Sequence, residues 1–277
     1  MKKVATNIYL GLCFIFLYAP IFVLIVFSFN ESKNRALFTG FTFKWYKELF
    51  HNELIITSLV NTLIVAICAS LIATILGTIA AIGISNMKKG MKTTVMNITY
   101  LPVINPEIIT GISLMLLFVS LSSIIQKVGQ MFGLSWNLGQ GFLTVLIAHI
   151  TFSLPYIILN VLPKLRQMDI HIYEAAIDLG CSPSKAFIKV VIPQILPGIF
   201  AGFLMAFTFS LDDFVITYFT SGSSFPTLPV TIYSMTRMKV NPQINALSTI
   251  IFITVLLLLL LMNLISSRQT KNKGAIK

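Results

Sequence analysis

Six stretches of this chain are each long and apolar enough to cross a bilayer, and that repetition leaves few folds open to it. A helix needs about 20 mostly apolar residues to span the hydrocarbon. Residues 8–29, 59–84, 95–118, 142–162, 198–219 and 246–265 meet that length with no Lys or Arg inside them. Because no water reaches the bilayer core, each backbone must satisfy its own polar groups, and runs of this length do so as helices. The expected class is therefore an all-α integral membrane protein with six transmembrane helices, taken as one domain over residues 1–277. Composition agrees: 10% of the residues are charged, against about 25% in a soluble domain. The first stretch follows Lys2 and Lys3. It exceeds the roughly 7–15 apolar residues of a signal peptide and no small-x-small cleavage pattern follows, so it reads as a retained anchor.

Six spans place both termini on one side, and the basic residues say which. Thirteen of the 20 Lys and Arg (Lys2, Lys3, Lys88, Lys89, Lys92, Lys164, Arg166, Lys185, Lys189, Arg268, Lys271, Lys273 and Lys277) fall on the side of the termini. The opposite side holds Lys33, Arg35, Lys44, Lys47, Lys127, Arg237 and Lys239. By the positive-inside rule both termini are expected in the cytoplasm. The net charge of +11 then follows from topology and does not point to nucleic acid.

Several activities lack their residues. No GxxxxGK[ST] loop is present to cradle phosphates, and neither GxSxG nor HExxH occurs. No catalytic residues and no metal site are expected. Cys13, Cys68 and Cys181 form no disulfide framework, and His51, His149 and His171 are scattered. His149, inside the fourth span, reads as a hydrogen-bonded packing residue.

The connection over residues 164–197 is the most informative. Asp169 is a candidate N-cap, Ile170, Tyr173 and Ile177 recur at helical spacing, and Gly180 is a C-terminal stop. That predicts an amphipathic helix of about ten residues. Ser182 and Pro183 restart a helix that runs until Pro193 leads back to the membrane.

Three of the nine acidic residues, Glu107, Asp212 and Asp213, fall inside spans. A carboxylate at bilayer depth costs about 3 kcal/mol, and no Lys or Arg within any span offsets it. Counting helix rise from the starts of spans three and five puts Glu107 roughly 18 Å and Asp212 roughly 21 Å into the membrane. Pro102 and Pro106 interrupt span three just before Glu107, as where a helix opens around a cavity. Carboxylates without an internal cation suggest that the passing ligand is the cation, with Tyr100, Phe209, Phe214 and Tyr218 available for cation–π contact. Adjacent helical residues point about 100° apart, so one of Asp212 and Asp213 faces the path and the other a neighbour.

Glu174-Ala175-Ala176, three residues, Gly180, nine residues and then Val190-Val191-Ile192-Pro193 resemble the EAA motif of ABC importer permeases. Val and Ile replace the motif's usual Ile and Leu. The resemblance implies a type I (MetI-like) permease fold in which this loop is the coupling helix, docking into a groove of an ATP-binding subunit through Glu174, Ala175, Ala176, Gly180 and Pro193. Over nearly the full chain the sequence is similar to spermidine/putrescine permease subunits of the PotC type. The similarity rests on Tyr18-Ala19-Pro20-Ile21, Ser28-Phe29-Asn30, Trp45-Tyr46, Pro106-Glu107-Ile108, His149-Ile150-Thr151-Phe152, Ser210-Leu211-Asp212-Asp213-Phe214 and Ile232-Tyr233-Ser234-Met235. It implies a polyamine path through Glu107, Asp212, Asp213 and Trp45, although aspartate is the commoner residue at the position of Glu107. Trp45 reads equally well as an interfacial belt residue. The implied partners are a homologous permease forming a heterodimer, two ATP-binding subunits carrying the ATP and Mg, and an extracytoplasmic polyamine-binding protein. No cofactor is expected on this chain. The alternative reading is an ABC importer permease for another cationic small solute; the rival classes are a secondary transporter, which would have no use for an EAA hairpin, and a membrane enzyme, whose catalytic constellation the sequence lacks.

Overall fold

The computed structural model describes residues 2–32, 37–133, 139–238, 242–254 and 256–257. Lys33, Arg35, Lys239, the C-terminal basic tail and positions 258–265 of the sixth stretch lie outside the described residues. Among those described, five helices are long and apolar enough to cross a membrane, with a shorter apolar helix, Pro242–Thr254, opening the sixth stretch. The chain packs as two compact units, residues 57–231 and residues 1–56 with 232–277.

The smaller unit begins with α1 (Lys2–Ser28), whose apolar side chains, Phe14, Ile15 and Phe16 among them, are exposed, as expected where lipid is the solvent. After it Glu31 N–H donates to the Gly40 carbonyl, and Asn30 ties its own loop by donating to Leu37 O at 2.8 Å and accepting from Thr39 N at 3.0 Å. The short α2 (Lys44–Phe50) buries Trp45 and Leu49. Gln243 joins this unit's parts by donating to Glu48 at 3.0 Å and accepting from Asn52 at 3.2 Å.

The larger unit holds most of α3 (Glu53–Ser85), then α4 (Lys89–Ile104), α5 (Glu107–Met131) and α6 (Phe142–Gln167). These are followed by α7 (Ile170–Asp178), α8 (Pro183–Ala186), a π-helical stretch (Phe187–Val191), α9 (Ile192–Asp212), α10 (Val215–Thr220) and the start of α11 (Leu228–Met238). Its centre is the crossing of α6 and α9. Every fourth residue of α9 from Gly198 is small and buried: Gly198, Gly202, Ala206 and Ser210. A Cβ on Gly198 would stand 2.7 Å from Lys164 Cγ and 2.8 Å from the Asn160 carbonyl, so only glycine lets the two backbones come this close. Ala73, Ala81, Ile157, Val161, Leu162 and Ile195 fill the core around this crossing.

Two expected spans end differently. The stretch 95–118 is not one helix: α4 stops at Ile104, Asn105 and Pro106 are extended, and α5 restarts at Glu107. Pro106 removes an amide donor and pushes the residue before it out of helical geometry, so the break falls there, whereas Pro102 is absorbed within α4. The fifth span does not begin after a break at Pro193. The helix runs through Pro183–Asp212, and the π-helical turn just before Pro193 accommodates the missing amide and the ring. It ends at Asp212 rather than at position 219, and α10 is a separate helix. Depths counted along unbroken helices therefore do not apply: both carboxylates stand at helix ends.

Candidate functional site

The two breaks face one cavity. It encloses about 330 Å³ and is lined from α4, α5, α6, α9 and α10, with Glu107, Asp212 and Asp213 all on its wall. Residues more than a hundred positions apart thus share one opening because α5 packs against α10 and α10 against α6. Gly111 permits that approach, since a Cβ there would meet the Phe219 ring at 2.9 Å. Phe152, Tyr156, Phe209 and Phe214 supply aromatic surface, the rings of Tyr156 and Phe209 lying 4.6 Å apart.

The three carboxylates differ in what already holds them. Glu107 is in the first turn of α5, where unpaired amides favour a negative charge. Asp213 is buried, its side chain 5% exposed. It accepts from Thr217 N and Thr217 Oγ1, each at 2.7 Å, and from Ile216 N at 3.2 Å, so it caps α10. Asp212 is exposed at the end of α9, the negative end of the helix dipole, where a cation is favoured and a second negative charge is not. Among the described residues no Lys or Arg pairs with any of the three.

His149 locks this corner. Its Nδ1 lies 2.6 Å from Ser210 Oγ, and its Nε2 lies 2.8 Å from Thr217 Oγ1 and 3.5 Å from Asp213 Oδ2. The single hydroxyl proton of Thr217 goes to Asp213, so Thr217 accepts from His149 Nε2–H, while Nδ1 shares a hydrogen bond with Ser210. His149 is thus a packing residue joining α6, α9 and α10. Sequence reasoning placed it in the fourth span but could not connect it to Asp213, because its partners are 61 and 68 positions away.

Trp45 is not part of this cavity. It belongs to the smaller unit, is 2% exposed, and donates its indole N–H to the Asn30 carbonyl at 2.6 Å. The Trp45 ring is covered within the smaller unit and its one polar group is engaged.

Within residues 164–197, α7, a turn at Gly180 and the start of the helix from Pro183 form a hairpin. Asp169 caps α7 by accepting from His171 N at 3.0 Å. At the other end Gly180 has φ +87°, Gly180 N–H donates to Ile177 O and Cys181 N–H to Ala176 O, the paired bonds of a Schellman stop. Tyr173 packs against the core, while Ile172, Glu174, Ala175 and Leu179 are exposed. Leu179, 88% exposed, extends the apolar line of Ile172 and Ala175, which puts an unpartnered stripe on the outer face of α7.

Comparison with known proteins fits this architecture. Residues 73–271 match the family described as binding-protein-dependent transport system inner membrane component. The putrescine transport system permease protein PotI of Escherichia coli K12 is 42% identical over 240 residues, covering 86% of this chain and 82% of the relative. The spermidine/putrescine transport system permease protein PotC of the same organism is 34% identical over 263 residues, covering 95% and 94%. Among solved structures, a bacterial ABC transporter that imports the acidic polysaccharide alginate superposes with a TM-score of 0.72 at 19% identity, covering 97% of this chain and 95% of that one. That likeness concerns the fold alone, which is of the MetI-like type.

Proposed function

The chain belongs to the binding-protein-dependent transport system inner membrane components, multi-pass permeases without ATPase activity of their own, and from that membership we propose that it carries polyamines inward as one permease subunit of an ABC importer. The observation that carries the substrate class is the charge of the cavity: Glu107, Asp212 and Asp213 with four aromatic rings and, among the described residues, no basic residue on the wall. A fold shared with an importer of an acidic polysaccharide does not set the sign of the cargo; the lining does. Carboxylates suit the ammonium ends of a polyamine, and aromatic faces suit both the cations and the methylene segments between them.

Asp212 is the carboxylate with capacity to spare, Glu107 is held by the start of α5, and Asp213 keeps the corner in shape. In this reading a homologous permease completes the pathway and an extracytoplasmic binding protein delivers the polyamine. Two ATP-binding subunits, carrying ATP and Mg, grip the α7 hairpins through Glu174, Ala175 and Ala176, with Gly180 making the turn after α7 and Pro193 carried inside the helix that leads back to the membrane. Both termini face the cytoplasm. The cavity binds weakly enough to release its cargo, and affinity resides in the binding protein.

The test is uptake of labelled putrescine and spermidine by the reconstituted complex. Asp212→Asn lowers kcat/KM at least about tenfold, the scale of one charge-assisted hydrogen bond, and leaves assembly intact. Undiminished uptake by Asp212→Asn together with Glu107→Gln overturns the assignment.

A further inference from the structure

A second cavity of about 440 Å³ lies between the end of α3, the start of α4, the end of α6, α7 and the π-helical stretch. Its charge is opposite to that of the first. Lys92 and Arg166 line it together with Ser85, Asn86 and Tyr173, and among the described residues no carboxylate is on its wall. One of the three Lys92 N–H donors is used on the Ser85 carbonyl, at 3.2 Å, which leaves two. Arg166 brings a planar fork suited to paired oxygens. Among the described residues neither cation makes an ion pair. The nearest acids in sequence are turned to other work, Asp169 on the amide of His171 and Glu174 on its ring at 3.1 Å. Leu165, Phe187 and Val191 make the rest of the wall apolar.

Two cations, the Asn86 amide and the Tyr173 hydroxyl around a pocket with one greasy wall make a receptor for an anion rich in oxygen acceptors that carries an apolar portion, the Ser85 hydroxyl being spent on the Ile82 carbonyl. A cationic cargo is repelled here, so this is no second stop on the path. We propose that this cavity binds a phosphate-bearing anion between Lys92 and Arg166. The chemistry is common to the headgroup of an anionic phospholipid and to free phosphate. Because Tyr173 of α7 and Phe187 of the π-helical stretch share the wall with α3 and α6, an occupant ties the hairpin to the helices behind it. The proposal is independent of which solute is carried.

The test uses the purified complex with all its subunits. Native mass spectrometry measures retention of phosphatidylglycerol against phosphatidylcholine, and thermal unfolding is followed as inorganic phosphate is added. The wild-type complex retains phosphatidylglycerol preferentially, and Lys92→Gln with Arg166→Gln lowers that retention about thirtyfold, the scale of two surface-proximal cations. Lys92→Arg with Arg166→Lys preserves it, which separates charge from folding. Removing equal charge outside the cavity, by Lys88→Gln with Lys89→Gln, leaves retention unchanged. Stabilisation by inorganic phosphate that disappears in the Gln pair identifies free phosphate as the source; preferential phosphatidylglycerol retention without it identifies the lipid. Equal retention and equal phosphate response in the wild type and the Gln pair overturn the proposal, as does a loss of the same size from the Lys88 and Lys89 changes.

Discussion

Asp212 and Asp213 are neighbours in sequence and opposites in circumstance. Asp213 accepts three hydrogen bonds from α10 and lies against His149 in a buried network; Asp212 pairs with no cation among the described residues and sits at the wrong end of a helix for a negative charge. Replacing the two should therefore have different signatures. Asp213→Ala and His149→Ala each leave buried polar partners unsatisfied, and each should cost about 2–4 kcal/mol of stability. The loss is read as a lower melting temperature of the detergent-purified complex. Asp212→Asn should leave that temperature unchanged and act on uptake alone. Divergence of successive helical residues suggests one aspartate on the path and the other toward a neighbour; in the structure the helix ends between them and both line the cavity. Their different partners were not legible, since these rest on Thr217 and His149, brought in by α10 and α6. Trp45 illustrates the opposite limit: a tryptophan outside the spans has the same appearance in sequence whether it meets solute, headgroups or, as here, the Asn30 carbonyl.

Among the elements, the α6–α9 crossing depends most on individual residues. Gly202→Val forces side-chain carbons against Ile157, whose Cα stands only 3.1 Å from where a Cβ on residue 202 would lie. Overpacking of this kind costs about 1–3 kcal/mol, and the effect should show as lower yield of folded complex. The same substitution at Gly83, where a Cβ meets nothing within 4 Å, should be silent. The helices α1, α3 and α6 were legible from apolar length alone, and the α7 hairpin from Asp169, Gly180 and Pro183, each of which acts locally. The stripe of Gly198, Gly202, Ala206 and Ser210 was also present at helical spacing as a sign of close approach. The break in residues 95–118 was harder to place. Two prolines compete for it, and only packing decides that Pro102 stays inside α4 while Asn105 and Pro106 extend.

For the whole molecule, the proposed function makes the α7 hairpin the place where motion of a partner enters. Its exposed stripe of Ile172, Ala175 and Leu179 beside Glu174 fits a groove with an apolar floor and a basic rim. Glu174→Lys should uncouple transport from ATP hydrolysis: uptake falls by about tenfold or more while the permease pair still assembles. Copurification with the ATP-binding subunit, measured beside uptake, distinguishes lost docking from lost folding.

The uninterrupted helix Pro183–Asp212 is 30 residues long, about 45 Å from end to end. In mechanical terms it is a lever with the hairpin at one end and a carboxylate at the other. A tilt of about 5° carries the far end of such a rod about 4 Å, more than the reach of a hydrogen bond. Because the chain breaks immediately after Asp212, that aspartate rides on the lever, while Asp213 stays pinned to α10 and His149. Under the proposed function, a small push at the hairpin changes the spacing between two adjacent residues, and with it the grip of the cavity on a cation.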